Sequence, residues 1–357
     1  MASNFLDHAQ AIRPGEEISN PPFISFLEEK LAKYPGEIEI LQFPGGYSNL
    51  TYLIKKGPSE FVLRKPPHGA NIKSAHDMGR EYKVLSLLKR VYYKVPTPIC
   101  IYEDHDLLGS PFYLMERVIG LILRSKIPAG MALTAESFRK LSVNTIDNLA
   151  KLHQLDIKAT GLIDLGKPDG YVQRQVEGWI KRYFNAETDV IKAMNETTNW
   201  MQGNIPPENS PAFIHNDYKY DNLVLDPETL EIKALLDWEM ATVGDPLMDL
   251  GTSLGYWAEQ GDHPALKSFG LTGHEGNLNR QQIVERYANN SGGKIENMVF
   301  YYVFGCFKIA VIAQQIYARY KQGLTKDPRF AGLIYVTNAC AENAANAIKF
   351  NRINNFK

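Results

Sequence analysis

Cysteine is scarce in this chain: 357 residues hold three thiols, Cys100, Cys306 and Cys340. They are far apart and odd in number, and no C-x-x-C pair occurs. That argues against a disulfide framework and a cysteine zinc site, and it fits buried thiols in a reducing compartment. Excess charge is lacking too. The formal net charge is −1, so nothing in the total points to nucleic acid or an anionic membrane as a partner. The N-terminal residues 1–8 lack a basic start followed by an apolar run, so no signal peptide is expected and a cytoplasmic location is. The most apolar stretch, residues 298–316, is broken by Lys308, Gln314 and Gln315 and reads as a buried helix rather than a membrane span. Internal repeats and low-complexity tracts are absent.

What remains is an ordinary globular composition, 44% hydrophobic and 22% charged, long enough for two lobes. The first half is strand-rich. Residues 38–43, 51–54 and 60–64 read as three short strands, joined by a Gly-rich loop and a Lys-Lys-Gly-Pro turn at 55–58. A helix is expected from about residue 74 to 90, then strands near 99–102 and 112–118. The second half is mainly helical, with helices near 135–155, 172–184, 187–203, 280–290, 296–321 and 329–350. A strand-rich island interrupts them at 212–238, and the changeover between halves falls at 115–120.

The island carries the chemistry. Its sequence runs Phe213-Ile214-His215-Asn216-Asp217, then Asn222 followed by the apolar Leu223-Val224-Leu225, a turn at Asp226-Pro227-Glu228-Thr229, and Ile232 to Leu236 ending on Asp237. Folding back about that turn brings Asn222 near Asp237, two oxygen ligands side by side, as Mg²⁺ requires when it also binds phosphate oxygens. Asp217, in the loop before the hairpin, is placed to accept a hydroxyl proton. His215, Asp217, Asn222 and Asp237 together match the H-x-D-x-x-x-x-N…D arrangement of a kinase catalytic loop and metal-binding aspartate. Any one of them alone could equally be a turn cap; the set at this spacing is what carries the reading.

Two upstream features bear on the phosphates. In the loop after the first strand, Gly45 and Gly46 let backbone N–H groups approach an anion, with Ser48 as a hydroxyl donor and Asn49 beside it. A plain hairpin loop has the same look. Glu81 is more informative: a 100° step per residue puts it inside an apolar stripe with Met78, Leu85 and Leu88, and no cation stands three or four residues away. A buried carboxylate needs a partner. Arg64, ending the third strand, is the first candidate, and Lys65 the second.

These residues resemble the aminoglycoside phosphotransferase and choline kinase superfamily, and within it the kinase-like domain fused to some acyl-CoA dehydrogenases. The likeness rests on Gly-Gly-Tyr-Ser-Asn-Leu-Thr-Tyr at 45–52, Val-Leu-Arg-Lys-Pro-Pro at 62–67, Ser-Ala-His at 74–76 and Arg80-Glu81. It continues through Pro-Phe-Tyr-Leu-Met-Glu-Arg at 111–117, Arg174-Gln175 with Trp179, Leu-Asp-Trp-Glu at 236–239 and Gly-Asp-Pro-Leu-Met-Asp-Leu at 244–250. The resemblance implies an α+β, bilobal, protein-kinase-like fold. A five-stranded N-terminal lobe with one helix would span residues 1–117 and bind nucleotide. A mainly helical C-terminal lobe, residues 118–357, would hold the catalytic loop and the acceptor.

Carried over, Asp217 is the implied base of an ATP- and Mg²⁺-dependent phosphotransferase, with Asn222 and Asp237 on the metal. Arg64 stands where many relatives have the ATP lysine, with Lys65 next to it. Met115, Glu116 and Val118 would meet adenine, and Asp245 and Asp249 would support the catalytic loop. The implied acceptor is a hydroxyl of a small molecule, such as a hydroxy acid or hydroxyacyl thioester. Tyr171, Trp179, Tyr256 and Trp257 are candidates to line its pocket. Two departures stand out: Asn216 replaces a glycine usual before the catalytic Asp, and arginine replaces lysine at 64. A pseudokinase and an aminoglycoside kinase are the rivals. A protein kinase is disfavoured because D-F-G and A-P-E are missing and the gap from Asp237 to Asp245 is too short for a peptide-docking segment.

Overall fold

The computed structural model describes residues 6–44, 49–67, 77–325 and 327–356. Its elements in chain order are α1 (Pro21–Lys30), β1 (Ile38–Gln42), β2 (Leu50–Lys56), β3 (Ser59–Lys65), α2 (Met78–Leu88), β4 (Pro98–Tyr102), β5 (Phe112–Glu116), α3 (Ala135–His153), α4 (Tyr171–Ala186) and α5 (Lys192–Gly203). There follow β6 (Ala212–Ile214), β7 (Leu223–Leu225), β8 (Ile232–Leu235), β9 (Thr242–Gly244), α6 (Pro246–Tyr256), α7 (Pro264–Lys267), α8 (Arg280–Ser291), α9 (Met298–Lys321) and α10 (Leu333–Phe350). They fall into two compact units, Met1–Ile122 with Leu223–Glu239, and Leu123–Asn222 with Met240–Lys357. A lobe division was expected after residue 117; the first compact unit runs to Ile122 and takes in the hairpin of the island.

In the first unit, five antiparallel strands run in the order β1-β2-β3-β5-β4. Alternation along β3 decides which side chain faces where. Phe61 and Leu63 join a core with Tyr52, Ile54, Phe112 and Leu114, sealed by Phe23 and Leu27 of α1. Arg64, one residue out of step, turns to the opposite face. The helix α1 was not expected. Only Phe23 and Leu27 of its ten residues are buried, which leaves little periodic signal, although Asn20 caps it and proline opens it. In α2, Asp77 accepts from the Arg80 amide, and Met78, Glu81, Val84, Leu85 and Leu88 are buried, as the apolar stripe requires.

The β7–β8 hairpin pairs Leu223 with Leu235 and Val224 with Ala234, and Asp226 Oδ1 closes its turn by accepting from the Glu228 and Thr229 amides. Leu121 and Leu225 exchange two 2.8 Å backbone bonds, and the Leu235 amide donates to Lys94 O at 2.9 Å, which fixes the hairpin to this unit. Gly120 is required beside it, because a Cβ there would stand 2.5 Å from Leu225 O.

The second unit is helical, with β6 and β9 forming a two-stranded antiparallel ladder. Its most apolar helix, α9, is long and apolar enough to cross a membrane, yet 78% of its apolar window is buried inside the protein, as a core helix would be. The helix α6, which lay outside the expectations, packs on α9 backbone to backbone: a Cβ on Gly251 would collide with the Tyr301 carbonyl, and one on Gly305 with the Gly251 carbonyl. The helix expected over 187–203 begins at Lys192, and the one expected over 329–350 begins at Leu333 after a short tight turn at Pro328–Gly332.

Candidate active site

In the first unit the candidate residues gather around Arg64. Its Nη1 bonds Glu81 Oε1, while Nη2 lies 3.1 Å from Asp237 Oδ1 and 3.9 Å from Glu239 Oε2. Asn49 Nδ2 donates to Glu239 Oε2 at 2.9 Å. Glu81 is 2% exposed. Burial pushes its pKa up, against the pull of Arg64. Burial works against the charge on Arg64 too, but Glu81, Tyr113, Asp237 and Glu239 outweigh it, and the guanidinium is held above its ordinary value. Tyr113, opposite Arg64 on β5, completes the cluster. The Asp237 backbone is left-handed at φ 64°, a conformation a non-glycine residue adopts only when its surroundings impose it.

Lys65 does not belong to this cluster. The strand's alternation sends it to the other face, where it is buried and donates from Nζ to Leu108 O at 2.9 Å. The expectation of Lys65 as a phosphate ligand is thereby corrected. Met115 is buried and pairs with Val62 and Pro98; the Glu116 amide donates to Thr97 O, and Val118 is half-buried just beyond the strand. Gly45, Gly46 and Ser48 lie outside the described residues.

In the second unit, the loop after β6 is held from every side. Asp249 of α6, wholly buried, accepts the His215 amide (2.7 Å) and the Asn216 amide (2.8 Å), and bonds His153 Nε2 at 3.1 Å. Burial pushes the Asp249 pKa up, but His153 and the loop's donors hold it below the carboxylate range. His153, isolated in the sequence, is thus buried and paired, its Nδ1 2.7 Å from Tyr287 OH. Asn216 has φ 68°, which explains a position where glycine is usual: asparagine is among the few residues that tolerate it. Its side chain donates to Met240 O at 3.0 Å and meets Tyr171 OH, and its carbonyl accepts from Lys308 Nζ at 2.7 Å.

The Asp217 carboxylate then stands among donors. Asn222 Nδ2 donates to Asp217 Oδ2 at 3.0 Å and to Asp217 O at 2.8 Å, so both bonds use the nitrogen of that amide. Lys219 Nζ lies 2.9 Å from the same Oδ2 and over the ring of Tyr256. Burial pushes the pKa of Asp217 up, but Lys219, His215 and Lys308 together more than reverse it, so the carboxylate sits below its ordinary value and is charged at neutral pH. Among the described residues there is no cluster of three or more His, Cys, Asp or Glu fit to hold a metal.

Sequence reasoning missed Lys219, Lys308 and Glu239. Lys219 was legible as the first cation after Asp217, and Lys308 as the lone charge in the most apolar stretch. Of the proposed pocket aromatics, Tyr171 and Tyr256 touch the loop, and Trp179 lies under Arg182 and Lys308. Trp257 meets the loop only at Tyr220, edge to face, and its indole donates to Leu278 O in the core.

Comparison with known proteins agrees with this chemistry. A family model described as the phosphotransferase enzyme family matches residues 39–280. Acyl-CoA dehydrogenase family member 10 of Mus musculus is 34% identical over 293 residues, covering 80% of this chain and 27% of that protein. Acyl-CoA dehydrogenase family member 11 of Homo sapiens is 32% identical over 319 residues, covering 87% and 41%. The chain thus spans well under half the length of these relatives. A crystal structure from Ralstonia eutropha, solved as a candidate aminoglycoside phosphotransferase, superposes with a TM-score of 0.76 at 29% identity, covering 92% of this chain and 97% of that one.

Proposed function

The chain belongs to the phosphotransferase enzyme family, and from that premise we propose that it transfers the γ-phosphoryl group of ATP to a hydroxyl of a small molecule, with Asp217 as base. The observation that carries this reading is the Asp217 carboxylate itself: partly buried, held charged by Lys219 with His215 and Lys308, and bonded by Asn222. A carboxylate so placed takes the hydroxyl proton as the oxygen attacks, and the rest of the catalysis is positioning and charge. Asn222 and Asp237 are the residues proposed to hold Mg²⁺. In support, Leu223, next in the chain after Asn222, pairs with Leu235, two residues before Asp237. The metal would supply neutralisation of the phosphate charge.

Arg64, fixed by Glu81, is proposed to steady the phosphates, which assigns nucleotide to the first unit and acceptor to the second. For the acceptor we favour a hydroxy acid or hydroxyacyl thioester. Lys219 and Lys308 both act on Asp217, a setting that suits an anion and repels a polycationic aminoglycoside; relatives named as acyl-CoA dehydrogenases point the same way. The test is ATP consumption against a pool of hydroxy compounds, read by mass spectrometry, with Asp217→Ala alongside. Loss of about 10²-fold or more in turnover, with MgATP still bound, is expected. Undiminished phosphorylation by Asp217→Ala would remove the base assignment.

A further inference from the structure

A second lysine bears on the same loop from a helix beyond the part of the chain that the family model matches, residues 39–280. Lys308 lies in the middle of α9, 2% exposed, between Phe307 and Ile309. An ammonium buried there opposes folding, and an apolar side chain would serve the packing better. Its hydrogen bond goes to one atom, the carbonyl oxygen of Asn216 at 2.7 Å. That carbonyl belongs to the peptide leading into Asp217. The other side of the same peptide, the Asp217 amide, donates to His215 Nδ1 at 3.2 Å. The peptide leading into Asp217 is therefore gripped at both ends, next to the left-handed backbone of Asn216 at φ 68°.

We infer that Lys308 is a positioning residue for phosphoryl transfer, its ammonium fixing the Asn216–Asp217 peptide and with it the direction of the Asp217 carboxylate. This rests on Asp217 being the base. The charged groups that face Lys308 are Asp217 and Lys219 from the loop, Asp249 from α6 and Arg182 from α4, with the ring of Trp179 5.6 Å from its Nζ. Two carboxylates against two cations leave the ammonium no dominant ion-pair partner. That fits a group retained for where it holds a backbone rather than for the stability of a salt bridge.

Lys308→Met and Lys308→Arg in the full chain test it, with three readings: hydrogen exchange of the Asp217 amide by NMR, MgATP affinity together with ATP turnover, and the urea midpoint. For Lys308→Met the expected result is at least tenfold faster exchange at Asp217 and at least tenfold slower turnover. MgATP affinity should stay within twofold and the midpoint should not fall. Lys308→Arg, which keeps charge and donor, should recover a large part of both losses. Wild-type exchange at Asp217 in Lys308→Met overturns the inference, and so does a lowered midpoint or failure to fold, either of which makes Lys308 a stability residue. If the wild type turns over no ATP, the kinase reading falls by itself, and exchange and midpoint still decide the role of Lys308.

Discussion

The pair formed by Arg64 and Glu81 offers a quantitative test, because its two partners should separate stability from binding. Glu81 is 2% exposed and the Arg64 side chain 12%, so both charges are largely out of water. Removing one partner of such a pair costs about 3–5 kcal/mol, because the other is left buried without its counterion. In Glu81→Met the guanidinium still has Asp237 at 3.1 Å and Glu239 at 3.9 Å, so the loss belongs at the lower end, about 3 kcal/mol. Replacing both, as Arg64→Met with Glu81→Met, removes the two most buried charges, leaves the more exposed Asp237 and Glu239 to solvent, and sets apolar side chains beside the buried Met78, Val84 and Leu85 of α2. The double variant should return to within about 1 kcal/mol of wild type, as hydrophobic replacement of buried ion pairs does. MgATP binding should not return with it, and a tenfold or larger loss of affinity, about 1.4 kcal/mol, is expected in every variant lacking Arg64. Urea unfolding by linear extrapolation and titration calorimetry measure the two quantities. A double variant as unstable as the single one would refute the burial argument, and full MgATP affinity without Arg64 would refute its role at the phosphates.

Other tests bear on the loop. Asn216→Ala puts a residue less tolerant of the left-handed backbone there and removes two side-chain hydrogen bonds, for an expected loss of about 2–3 kcal/mol; Asn216→Gly loses the same bonds without backbone strain and should lose about 1 kcal/mol less. Comparative urea unfolding of the two variants checks the order. Burial lowers the pKa of Lys308 to about 8 from 10.5, with Asp217 and Asp249 opposing. Between those values the unfolded chain binds a proton that the folded one does not, so stability should rise with pH there. The difference from Lys308→Met should reach about 3 kcal/mol across the window, at about 1.4 kcal/mol per pH unit. For Asp249 the sign is reversed. Its depressed folded value gives stability that is present above the ordinary carboxylate range and lost as pH falls through the folded value, so Asp249→Asn should flatten the acid limb of a stability–pH curve.

The sheet of the first unit was legible because each strand is bounded by glycine, proline or a turn and because its apolar residues alternate. That Glu81 needs a cationic partner from elsewhere in the chain followed from helix phase. The choice between Arg64 and Lys65 did not follow until the strand's register was known, since neighbours on a strand face opposite ways. The helix α6 escaped because Gly251, Thr252, Ser253 and Gly255 are poor helix formers; it exists because it packs on α9. The island marked Asp217, Asn222 and Asp237 as candidates by spacing. It could not announce Asp249 as the acceptor of two loop amides, or Lys308 as the donor to its carbonyl, because those contacts join residues far apart in the chain and depend on how helices pack.

That packing has a consequence for how the loop can be altered. Asp249 sits two residues before Gly251, and Lys308 three residues after Gly305, so the two side chains that grip opposite sides of the Asn216 backbone ride on helices pressed together where neither has a side chain. A single methyl group at either glycine would wedge those helices apart and open the grip around Asp217 while leaving the chemical groups intact. Variation among proteins of this kind should therefore spare two silent positions in the interior as strictly as it spares the carboxylate they serve.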